Sequence, residues 1–82
     1  MSDNTTPFSA LGYRKMVAEF GKPVREVRTK DGSLIAQWHL PKGWEVRVYA
    51  TDGAVKRRDS AMDEGSSTRW FNGAVKQHGG AK

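Results

Sequence analysis

The chain contains no cysteine, so no disulfide staples its fold and no thiolate set holds a zinc ion. It also lacks a long apolar run: nothing approaches the roughly 18–20 consecutive apolar residues that span a bilayer. The opening residues Met1-Ser2-Asp3-Asn4-Thr5-Thr6 are polar and carry an acid. A secretory signal needs a basic start followed by an apolar stretch, so export by that route is not expected. Together with a mean hydropathy of -0.72, these absences point to a water-soluble, cytoplasmic protein with no membrane partner.

Groups suited to catalysis are scarce as well. His39 and His78 are the only imidazoles. His39 is expected on an outer sheet face near Glu45 and Val24, and His78 falls in a different element. Ser60, Ser66 and Ser67 have no partner that spacing identifies. The adjacent Asp63-Glu64 match no metal-binding loop, and Gly12, Gly21 and Gly32 make no phosphate cradle. With no constellation that meets the requirements of an active site, the expectation is a protein that binds rather than catalyses, without metal or cofactor.

What is present fits one small domain. The chain has 82 residues, enough for a single modest core. Without covalent staples that core must rest on packing, chiefly of the three Trp, three Phe and two Tyr. Fourteen Lys and Arg against nine Asp and Glu give a net charge of +5, with a pI near 9.9. Such a balance favours acidic partners: nucleic acid, an acidic protein surface or anionic lipid.

Residues 1–6 read as a flexible tail. Thr6 then suits an N-cap and Pro7 a first helical position. Tyr13, Met16, Val17 and Phe20 follow the i, i+3, i+4, i+7 spacing of one buried stripe. Gly21 and Pro23 end that helix, placed at 7–20. The period then becomes alternating. Asp31-Gly32 and Asp52-Gly53 suit two-residue type I′ hairpins, and Pro41-Lys42-Gly43 suits a three-residue loop. From Ser60 the sequence is polar through Ser67. Thr68 then caps a second helix at 68–78 with an apolar side of Trp70, Phe71, Ala74 and Val75, although Asn72-Gly73 inside it is unfavourable. Residues 79–82 read as a second flexible tail. The fold class is therefore α+β: an N-terminal helix on a three- to four-stranded antiparallel meander, then a short C-terminal helix, all within residues 7–78.

The assumed loop lengths set Leu40 opposite Trp44, Trp38 opposite Val46, Ala36 opposite Val48 and Leu34 opposite Ala50. They also set Val27 beside Ala36 and Val55 beside Ala50. Every pair is apolar, which gives one face for the first helix to cover. Arg57 and Asp59 share the inward parity of Val55, so the fourth strand is expected to be short or bent. The opposite face collects Arg28, Ile35, Tyr49 and Lys56 in one row and Glu26, Gln37, Arg47 and Arg58 in the next. Four cations around an aromatic ring form a reasonable nucleic-acid platform. Arg28, Arg47, Lys56 and Arg58 would contact phosphate, Tyr49 would stack, and Gln37 would reach a base edge. The alternative is a protein-binding adaptor or inhibitor, of the kind found on mobile elements, that uses this face or the segment Arg69-Trp70-Phe71. Trp70-Phe71 is expected to dock as core, and an exposed anchor is the other reading.

From Glu19 to Val55, the elements Phe20-Gly21-Lys22-Pro23, Asp31-Gly32, Trp38, Val46-Arg47-Val48-Tyr49 and Asp52-Gly53-Ala54-Val55 resemble the small BamE/SmpA-type domain. That family is related in shape to β-lactamase inhibitor protein domains. The resemblance implies a helix packed on an antiparallel sheet and a protein-binding role. The chain departs from it in its basic charge, in lacking an acylated cysteine, and in having one helix before the sheet where two are usual. The sheet arrangement is therefore carried over and the membrane-assembly role is not.

Overall fold

The computed structural model describes residues 10–50, 55–57 and 62–82. The class is α+β. Helix α1 (Ala10–Phe20) precedes strands β1 (Arg25–Arg28), β2 (Leu34–Leu40), β3 (Gly43–Tyr49) and β4 (Val55–Arg57), and helix α2 (Glu64–Gln77) follows them. The strands form one antiparallel sheet in the order β1-β2-β3-β4. The Thr6 cap, Pro7, the Asp52-Gly53 turn and Arg58 lie outside the described residues.

Each hairpin differs from its expected register by one residue. Leu34 pairs with Tyr49, Gln37 with Val46, Trp38 with Glu45 and Leu40 with Gly43. Val27 faces Ile35, and Val55 faces Tyr49. Turn chemistry explains two of these shifts. A type I′ turn needs positive φ at both central residues, and no residue other than glycine has one among the described residues. The first turn instead closes with the Gly32 amide donating to the Thr29 carbonyl at 3.0 Å and the Thr29 amide to the Ser33 carbonyl at 2.9 Å. Gly32, at φ 89°, takes the left-handed position of a three-residue loop. In the middle hairpin Gly43 joins β3 and leaves only Pro41-Lys42 as the loop.

The slip changes what each face contains. Leu34, Ala36, Trp38, Leu40 and Tyr49 form a buried cluster with Met16 of α1, and Tyr13 and Val17 pack against it. Ile35, Val46 and Val48 form a second cluster with Phe71 and Ala74 of α2, joined by Val27, Met62 and Val75. The sheet is thus the middle of three layers. Two amphipathic helices each need an apolar surface, and a single sheet offers one face to each. β2 is consequently buried along its length except at His39.

Both helices are also tied to the sheet by polar groups. The Trp38 indole N–H donates to the carbonyl of Gly21, just past α1, at 2.9 Å. The Tyr13 hydroxyl donates to Glu26 at 2.5 Å. Burial, and then the Glu26 carboxylate, push the Tyr13 phenol up to about 12, so it remains a donor at neutral pH. Phe20, expected in the buried stripe, is 40% exposed at the end of α1. Residues 79–82, expected as a tail, are held to β1. Ala81 bridges Thr29, the Lys82 amide donates to the Arg28 carbonyl, and the Lys30 amide donates to the Gly80 carbonyl.

Candidate functional site

Helix α2 begins at Glu64, four residues before the expected start, because Asp63 rather than Thr68 is its cap. The Asp63 carboxylate accepts from the Ser66 amide at 2.7 Å, and that bond holds its pKa below the ordinary carboxylate value. The first turn, Glu64-Gly65-Ser66-Ser67, contains no large apolar residue, so it reads as loop until the cap is seen. The helix ends in a Schellman motif: the Gly80 amide donates to the Val75 carbonyl and the Gly79 amide to the Lys76 carbonyl. Gly79, at φ 97°, supplies the left-handed residue which that motif requires.

Successive helical residues point 100° apart, so Trp70 and Phe71 cannot both face the sheet. Phe71 does, together with Ser67 and Ala74. Trp70 does not: it is 47% exposed, which corrects the expectation of a core residue. The flank of α2 beside it, with Met62, forms an open groove of about 660 Å³ lined by Ser66, Arg69, Trp70, Gly73, Ala74, Lys76 and Gln77. Arg69 and Lys76 bring two cations to this groove, and no carboxylate lines it among the described residues. An exposed aromatic side chain and two cations around a groove are the ingredients of a site for an apolar side chain on an acidic segment.

Among the described residues expected to form a nucleic-acid platform, Tyr49 and Gln37 lie on opposite faces of the sheet. Tyr49 is fully buried in the α1 cluster, with its ring edge-on to Tyr13 at 5.9 Å. A nucleobase cannot stack on it there. Burial raises its pKa. Gln37 is equally buried on the opposite face, where its amide donates to Ser67 at 2.5 Å and to Thr68 at 3.3 Å. Arg47 pairs with the buried carboxylate of Glu45, two residues away on β3. Lys56 pairs through its backbone with Val48, and Arg47 with Arg57. Arg28 stands on the exposed edge strand β1. Of the alternative segment, Arg69 and Trp70 reach the groove and Phe71 is core.

Sequence reasoning missed a polar cluster between the first turn and the end of α2. Asp31 accepts from the Thr29 hydroxyl at 2.6 Å and from the Ser33 amide at 2.9 Å, and it lies 2.7 Å from His78 Nδ1. Ser33 Oγ lies 3.5 Å from that same nitrogen. A catalytic relay passes through both imidazole nitrogens; here both groups approach one, and Ser33 is fully buried. The cluster therefore fastens the α2 terminus to the hairpin. The Thr29 hydroxyl first, then His78 and the Ser33 amide, hold the Asp31 carboxyl far below its ordinary value of 3.8. A carboxyl depressed on folding stabilises above its unfolded pKa, and that contribution is lost as pH falls toward the folded one. Denaturant titrations should thus show a stability deficit for Asp31→Asn at neutral pH that narrows below about pH 4. A deficit independent of pH would mean that the carboxylate charge does not matter.

No group of three or more His, Asp or Glu positioned to hold a metal occurs among the described residues. No helix among them is long and apolar enough to cross a membrane. Comparison with known proteins returned no matching family model, curated protein or solved structure.

Proposed function

We propose that this protein is a protein-binding module, an adaptor or inhibitor in a cytoplasmic setting, that engages an acidic partner surface through the α2 groove. The observation that carries this reading is Trp70: a large aromatic side chain, half-exposed on helix α2, beside a concave surface with Arg69 and Lys76. Exposed Trp and Arg at a groove are the residue types that dominate binding energy at protein interfaces. The implied role of the BamE/SmpA-type resemblance, protein binding, agrees with it. Nucleic-acid binding through an open sheet face loses its support, because α1 packs on one face and α2 on the other.

The test uses a fluorescein-labelled peptide that alternates Asp or Glu with Leu or Phe. A Lys-substituted peptide and a labelled single-stranded DNA serve as comparisons. Fluorescence anisotropy should report binding of the acidic peptide and not of the basic one. Trp70→Ala should weaken that binding by about 2 kcal/mol or more while leaving the fold intact, since Trp70 is not in either core cluster. Acrylamide should quench Trp70 in the free protein and less when the peptide is bound. Tighter binding of the DNA than of the acidic peptide would transfer the proposal to nucleic acid.

A further inference from the structure

We infer that the occupant of the groove is an acidic segment whose main chain crosses α2 in direct contact at Gly73. This rests on the reading of the Trp70 groove as a partner site and adds where, and by what chemistry, the partner lies. A glycine inside a helix lowers stability relative to alanine, so it calls for a local reason. Nothing among the described residues supplies one. Gly73 does not have a positive φ, and a Cβ placed on it would meet no atom of the described residues within 4 Å. Alanine would fit the folded protein without strain.

The position of Gly73 supplies the reason that the fold does not. It lines the groove between Trp70, one turn before it, and Gln77, one turn after. Gly65, the other glycine of α2, does not line it. A missing side chain in the wall of a groove lets another backbone approach the helix closely. A local departure from helix preference that the fold does not require is expected at a functional site. Charge sets the class of occupant. Arg69 and Lys76 line the same groove, and no carboxylate is among its described lining residues. The Asp63 carboxylate near Arg69 is engaged by the Ser66 amide as the helix cap, and the whole chain carries +5. The matching segment is acidic, with an apolar side chain against Trp70 and Met62.

The experiment compares wild type, Gly73→Ala and Gly65→Ala by thermal melting and by anisotropy with the labelled acidic peptide. Gly73→Ala should raise the melting temperature by about 4–8 °C. It should also weaken peptide binding by about tenfold or more, since an added methyl in a close-packed contact forces the two chains apart. Gly65→Ala should leave the affinity unchanged. If the peptide binds wild type in a Trp70-dependent way and Gly73→Ala binds equally well, the contact at Gly73 is wrong and the partner site stands. A lower melting temperature for Gly73→Ala would assign the glycine to the fold instead. Failure of the peptide to bind wild type at all would remove the partner site, and the inference with it.

Discussion

Replacing Trp38 with alanine is expected to remove most of the stability of this protein. Trp38 is fully buried between α1 and the sheet, with the Tyr13 ring 6.1 Å away. Truncating a buried Trp costs about 3–5 kcal/mol through lost transfer energy and the cavity left behind. A small domain is stable by about 5 kcal/mol at the low end of the usual range. The variant should therefore be largely unfolded by mild denaturant or modest warming. Trp38→Phe isolates a second contribution. It keeps much of the apolar volume but cannot donate to the Gly21 carbonyl, which should cost about 1 kcal/mol beyond the change in volume. Urea melts of the two variants should differ accordingly. A Trp38→Ala protein with wild-type stability would mean that α1 does not pack on this face.

The burial of Trp38 was legible from its place in an alternating strand, although its cross-strand neighbour was not. The expected register placed Val46 beside it; the structure places Glu45 there. The error follows from the assumed loop lengths, whose register grouped Val46 and Val48 with the even-numbered residues of β2 on one face. The even-numbered residues of β2, Leu34, Ala36, Trp38 and Leu40, do face α1. The apolar residues Val46 and Val48 of β3 face α2 instead. The signal that could have separated them is Phe71 with Ala74 and Val75 on α2, an apolar stripe that needs a sheet face of its own. Once both faces are buried, alternation of polar and apolar residues no longer identifies the outside.

The candidate site was legible in part for a related reason. Arg69-Trp70-Phe71 stood out as a segment, but assigning its side chains needed the helix phase. The first turn of α2 hid that phase by resembling a loop. With Asp63 recognised as the cap, Phe71 and Ala74 align with Ser67 toward the sheet, and Trp70 falls outside the stripe. Ser67 itself was unreadable as a buried residue. It is fully buried because it accepts from Gln37 and donates to the Glu64 carbonyl at 3.0 Å. No local pattern in the sequence specifies a contact between residues thirty positions apart.

The slipped register also brings two ionic groups inward, and the second large effect is expected there. Glu45 is buried, on the same face of β3 as Tyr49, and Arg47 is its ion-pair partner. As a solvated phosphate contact, Arg47 would tolerate replacement. As the counter-ion of a buried carboxylate it would not, because removing one member of such a pair leaves the other desolvated without compensation. That loss is typically about 3–5 kcal/mol. Arg47→Met should therefore destabilise the protein about as strongly as Trp38→Ala, although Arg47 retains some exposure to water. Glu45→Leu combined with Arg47→Met removes both charges and restores apolar packing, so the double variant should recover most of the loss. Chemical denaturation of the two single variants and the double variant gives a cycle whose coupling energy isolates the pair. Additive losses in that cycle would contradict the pairing. Near-native stability of Arg47→Met would show instead that water solvates Glu45, and it would return Arg47 to the pool of surface cations available to a partner.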